Sequence, residues 1–149
     1  MQRVITYLLV AFLAVLSAMA EPEDKMIPDA PILQFRLPGF DEDGDRSWVL
    51  AGEQARILSP EEIEVTTMVL RTFLKSDPRN AQTTIESPLA LIYPNESLAW
   101  GNDIITINDR FGAYSIMGRD WLWRGEENKI TINENARVTF REGLGSILE

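Results

Sequence analysis

Between Ile32 and about Glu142 the apolar residues come in short bursts rather than at helical spacing. "ILQFRLPGF" alternates loosely from Ile32 to Phe40; "LALIY", "DIITI", "AYSIM", "DWLWRG", "KITI" and "ARVTF" follow, each bounded by Gly, Asn, Asp or Pro. Turn signals about every 8 to 12 residues mark a sandwich, a meander or a β-solenoid, so the pattern predicts short strands in an all-β fold. "DEDGD", Asp41 to Asp45, reads as a Gly-containing acidic turn. Trp48–Ala51 and Ala55–Leu58 flank "GEQ" as the arms of a hairpin would.

One segment, residues 60–75, carries a competing signal. Ser59, Pro60 and Glu62 stand in the order of an N-cap, a first-turn proline and a capping-box glutamate. Ile63, Thr66/Thr67, Leu70 and Phe73/Leu74 then fall near helical spacing. Against this stand Val65, Thr66, Thr67, Val69 and Thr72, a density of β-branched residues that strands accept and helices disfavour. The strand reading outweighs the helical one.

Two phrases recur. Asn102 and Asn135 each open the pattern Asn-x-x-aliphatic-Thr-apolar, 33 residues apart, in "WGNDIITI" and "TINENARVTF". Trp48-x-x-x-Gly52-Glu53 is echoed by Trp121-x-x-x-Gly125-Glu126, each read as a Trp-bearing strand ending in a Gly-Glu turn. A β unit of about 30 residues, repeated with apolar residues on one face, stacks on its neighbour and extends a continuous interior.

The N-terminus reads differently. One Arg, an apolar run from Val4 to Leu16 and the small-x-small triplet Ala18-Met19-Ala20 predict a hydrophobic helix over residues 1–20 that acts as a secretory signal peptide. The alternative is an inner-membrane anchor over residues 4–20, at the lower edge of the roughly 17 to 25 residues a spanning helix needs. Both place the remainder outside the cytoplasm. Residues 21–31, with three prolines and four acidic side chains, suit a flexible tether. A β domain over 32–142 and a tail over 143–149 complete the organisation.

Composition removes several function classes. With 149 residues the chain suits one domain with a real core. Lys plus Arg number 14 against 23 Asp plus Glu, a net charge of -9, which argues against nucleic acid as a partner. Cys and His are both absent, which excludes disulfides, thiolate and imidazole metal sites, and the Cys-His and Ser-His-Asp nucleophiles. "DEDGD" lacks the Gly at position six and the Glu at twelve of a calcium loop: counted from Asp41, these are Arg46 and Gly52. The Asn95–Ser97 triplet "NES" is given no role. Glu61, Glu62, Glu64, Glu126 and Glu127 sit at predicted turns and strand starts, where solvated charge outweighs acid-base chemistry. No catalytic residue, metal or cofactor is predicted.

"FDEDGDRSWVLAGEQARI", "IESPLALIY" and above all "GRDWLWRGEENKITINENARVTFRE" resemble the LptC-related branch of the lipopolysaccharide-assembly proteins, which share an OstA-like β-jellyroll with LptA. The resemblance covers about Gln34 to Glu142. It implies an open, twisted, V-shaped sandwich of antiparallel strands, non-enzymatic and periplasmic, that holds lipopolysaccharide acyl chains in an apolar groove. It further implies receipt of lipid from an inner-membrane ABC transporter complex and delivery to an LptA-like bridge protein by edge-strand docking. The N-terminus departs from the better-known members, which keep an uncleaved anchor.

Strand alternation puts Trp48 with Leu50, Ile63 with Val65, Ile105 with Ile107, Trp121 with Trp123, Ile130 with Ile132, and Val138 with Phe140 on common faces. Under the resemblance these twelve positions are the groove candidates, Trp121 and Trp123 foremost. The competing reading is an ordinary closed core. Arg137, Val138, Thr139, Phe140 and Arg141 are the candidate partner edge strand. A different function stays open: an exported β-sandwich that binds protein or carbohydrate on an aromatic platform of Trp100, Trp121 and Trp123. The direction in which the tryptophans face separates the two.

Overall fold

The alternating apolar positions assemble, in a computed structural model that describes residues 30–141, into one antiparallel sheet of eight strands. These are β1 (Ile32–Phe40), β2 (Arg46–Ser59), β3 (Glu62–Leu74), β4 (Asp77–Tyr93), β5 (Leu98–Gly101), β6 (Ile105–Asp109), β7 (Tyr114–Arg124) and β8 (Lys129–Phe140). The strands follow one another across the sheet up to β4, which pairs with both β5 and β6; β7 pairs with both of these in turn, and β8 closes the series on β7. The expected N-terminal helix over 1–20, most of the 21–31 tether and the 143–149 tail lie outside the described residues.

Several strands are longer than the burst pattern predicts. β2 runs unbroken through "GEQ", so the expected hairpin does not form. "AYSIM" and "DWLWR" are one strand, β7, and "KITI" and "ARVTF" are one strand, β8. The segment with helical caps is β3; the Ser59 hydroxyl accepts the Glu61 amide at 3.3 Å and serves the β2–β3 turn instead of a helix start.

What interrupts the alternation is a crease that runs across the sheet. On β2 the inward residues are Trp48 and Leu50, then Ala55 and Ile57; on β3, Ile63 and Val65, then Met68 and Leu70. On β4 they are Ile85 and Ser87, then Ala90 and Ile92; on β7, Ile116 and Gly118, then Trp121 and Trp123. In each case parity changes once, as an extra residue does in a β-bulge. The break falls at the same place in neighbouring strands, between the pairs Leu33↔Gln54 and Phe35↔Gly52, then Gln54↔Thr66 and Ala51↔Val69, then Thr66↔Leu89 and Met68↔Ser87. It continues between Arg119↔Glu134 and Trp121↔Ile132. Gln34, Thr67, Asp120 and Asn135 take positive φ angles of 53, 52, 50 and 52° along this line.

The crease explains the recurring asparagine. Asn102 lies where the line separates β5 from β6, and Asn135 lies where it crosses β8, in the left-handed conformation that Asn tolerates better than most residues. The phrase that follows each begins the stretch beyond the bend. The Trp-Gly-Glu echo has no such meaning: Gly52-Glu53 sits at the crease inside β2, whereas Gly125-Glu126 is in the β7–β8 turn.

Bending along this line turns one sheet into two facing layers. The first contains the row Leu37-Leu50-Leu70-Ile85-Ile107-Ile116-Val138, paired strand to strand from β1 to β8. The second contains the row Ile57-Ile63-Ile92-Ala99-Trp123-Ile130. In a flat sheet Trp48 on β2 and Trp123 on β7 would stand at least four strand spacings apart, more than roughly 19 Å. Their ring centroids are 5.2 Å apart, so the layers meet face to face.

Close approach at the bend leaves no room for side chains. A Cβ on Gly52 would lie 2.2 Å from Val65 Cγ1, and one on Gly118 would lie 2.3 Å from Ile132 Cγ2 and 3.0 Å from the Glu134 carbonyl oxygen. Gly118→Ala and Gly52→Ala are each expected to lower stability by about 1–3 kcal/mol in urea unfolding followed by tryptophan fluorescence. An unchanged midpoint in both variants would contradict the crease packing.

An ion pair between Asp77, at the start of β4, and Arg110, in the β6–β7 turn, ties one end of the first layer. The Arg110 guanidinium, aided by the Asn80 amide, holds the Asp77 carboxyl below its ordinary value. A carboxyl depressed on folding adds stability that is present above about pH 4 and is lost as pH falls through the lowered value. Asp77→Asn is therefore expected to lower Tm slightly at pH 7, with the gap to the parent closing below pH 4. A gap that is independent of pH would assign the loss to something other than ionisation.

Candidate functional site

Between the layers the packing is tight on the β2–β5 side and loose beside β8. Trp48, Leu50, Val65, Ile105, Ile107, Trp121 and Trp123 are buried, and Ile63, Ile130 and Ile132 pack half-buried against them. Val138 and Phe140 are 50 and 44% exposed. Where Ile107 and Ile116 of the first layer face Ile130 and Ile132 of the second, a crevice of about 230 Å³ remains. Ile116 pairs with the exposed Val138 in the β7–β8 register. Thr72, Thr83 and Tyr114 add a hydroxyl each to its lining, and Asn128 an amide.

Of the twelve groove candidates, the crevice brings together Ile107, Ile130 and Ile132. Trp121 and Trp123, each 1% exposed, belong to the packed core instead. Ile116 and Ile85 line the crevice and were not among the candidates, although alternation from Tyr114 through Ile116 to Gly118 marks the same face of β7.

Trp48 and Trp123 meet edge to face at 82° and join the two layers. Each lies over a glycine: a Cβ on Gly39 would fall 1.9 Å from Trp48 Cε2, and one on Gly125 would fall 2.7 Å from Trp123 Cη2. The indole Nε1 atoms of Trp121 and Trp123 are buried with no hydrogen-bond partner among the described residues. A buried unpaired donor of this kind costs about 1–3 kcal/mol.

Trp100 points the other way. It pairs with Leu91 on β4 and Leu122 on β7, on the outer face, and is half-buried. The three-tryptophan platform therefore does not form, because alternation on β7 sends Trp121 and Trp123 inward and Leu122 outward.

The candidate edge residues Arg137 to Phe140 form the end of β8, fully on the exposed side of the burial pattern, and Arg141 follows with its amide donating to the Ala113 carbonyl. Among the described residues β8 pairs only with β7 and β1 only with β2, so both margins of the sheet present unpaired backbone groups.

Some of the carboxylates have structural work. Asp41 accepts the amides of Asp43 and Asp45 and shapes the acidic turn; Glu62 accepts the Tyr93 hydroxyl at 3.0 Å; Glu64 stands opposite Arg56. Among the described residues no three Asp or Glu side chains converge as a metal site would require.

No family model matches the sequence, and no curated protein matches it. Among solved structures the fold is similar to that of LptH from Pseudomonas aeruginosa, the LptA homologous periplasmic component of its lipopolysaccharide transport device. The TM-score is 0.52 at 9% identity, over 81% of this chain and 100% of that one. The likeness is one of fold, an LptA-type jellyroll, and does not single out the LptC branch.

The contact between the layers can be measured. A double-mutant cycle on Trp48→Leu and Trp123→Leu is expected to give a coupling of about 0.5–1.5 kcal/mol. Additive effects would mean that the two rings stabilise separate layers.

Proposed function

We propose that this chain is a non-catalytic, periplasmic component of lipopolysaccharide transport that shelters lipid acyl chains between its two layers and passes them to a partner jellyroll. The observation that carries this reading is the isoleucine-walled crevice left open beside β8, in a sheet whose margins remain unpaired. The fold likeness to a lipopolysaccharide-transport protein and the sequence resemblance to the LptC branch support it.

Physical chemistry sets how such a component would work. Each methylene moved from water into the crevice contributes about 0.8 kcal/mol, enough for a partly inserted chain to be held and still released. A protein of net charge -9 repels anionic head groups, so the attraction comes through the chains. Ile107, Ile116, Ile130 and Ile132 are the proposed contacts.

Delivery is proposed to use the free edge of β8, Arg137 to Arg141, which would add to a strand of an LptA-like bridge protein. Lipid would arrive from an inner-membrane ABC transporter complex. Residues 1–20 supply export as a signal peptide, or anchoring through residues 4–20, in either form of this proposal.

Photocrosslinking in cells tests it. A photoreactive amino acid at Ile132 is expected to give a lipopolysaccharide adduct, with none at the exposed turn residue Glu127. Silence at 132 and at 107, while the protein is folded and exported, would sink the lipid reading. It would favour a binding module that uses its outer face.

A further inference from the structure

A second hollow, of about 680 Å³, opens where the layers part at the β1–β2 and β7–β8 turns. Phe40, Trp48 and Phe73 give it aromatic walls; Phe40 is 61% exposed. Its charged rim comes from two separate turns: Asp41, Glu42 and Asp43 on one, Glu126 on the other. No Lys or Arg is among the described residues that line it. Asn128 borders both this cleft and the interior crevice, so the two hollows adjoin.

Two observations describe how this end of the molecule treats cations. Lys75 pairs with Asp43, and that bond, with the charges of Asp41 and Asp45, holds its ammonium above the ordinary value. The Arg46 guanidinium lies 4.3 Å over the Phe73 ring, so one face of an aromatic wall already holds a cation. With no three carboxylates converging among the described residues, a metal ion is poorly served. An organic cation with an apolar body meets both the walls and the rim.

We propose that this cleft receives the positively charged head of an amphiphile, an alkylammonium or equivalent amine, while its chain passes Asn128 into the crevice. The placement of the chain rests on the acyl-chain reading above; the preference for a cationic head does not. Aromatic faces attract the ammonium, and the carboxylates of the two turns repel an anionic head at the same depth.

The test titrates the full chain with decyltrimethylammonium and with decanoate, below their micelle concentrations, following tryptophan fluorescence and heat. The ammonium is expected to bind about tenfold tighter, as a cation–π contact plus exposed charge attraction would give. The double variant Glu42→Gln with Glu126→Gln, checked for its fold by circular dichroism, is expected to lose most of that preference, binding the ammonium more weakly and decanoate no more weakly than the parent does. Equal affinities in the parent, or a preference that survives in the double variant, would overturn the cationic head site and leave the acyl-chain reading standing. Binding of neither amphiphile would overturn both.

Discussion

A strand that crosses from one layer to another must keep its apolar side chains inside, and a strict two-residue period cannot do this around a sharp bend. In β2, β3, β4 and β7 the alternation slips once, at a line running across the sheet. Each slip returns the inward face to the inside. Without it, Ala55, Val65, Ala90 and Trp121 would face water, and the second layer would have nothing to pack against the first. The glycines at the bend and the left-handed residues beside them are the local requirements of that slip.

Closure is unequal as a result. The layers are sealed where Trp48 meets Trp123 and where Leu50, Leu70 and Val65 are fully buried. Towards β8 the seal fails: the strand beyond Asn135 is exposed from end to end, and the isoleucines beneath it face one another across a gap. Dense and loose packing sit in one interior. That combination suits a protein that has to remain folded while part of its apolar surface takes a guest chain.

Much of this was legible in the residues. The all-β class followed from bursts bounded by turn signals, and β-branched residues such as Val65, Val69 and Thr72 correctly outweighed the cap-like Ser59-Pro60-Glu62. Strand length was not legible, because a bulge and a turn use the same residue types: Gly52-Glu53 reads like Gly125-Glu126 until the register is known. Same-face pairs such as Ile130 with Ile132 were readable from period two. Which of those faces end in tight core and which line a gap was not, since that depends on how far the opposite layer reaches. Trp121 and Trp123 illustrate it: their size suggested a groove wall, while the glycines opposite them let the core close around the rings.

The crevice beside β8 is where fold and proposed function meet, and isoleucine methyl groups report on it directly. Methyl-labelled protein titrated with purified lipopolysaccharide should show shifts at Ile107, Ile116, Ile130 and Ile132, with Ile32 at the far β1 margin unmoved. Shifts confined to the outer faces, or none at saturating lipid, would contradict the account of a folded sheet that holds acyl chains between its layers.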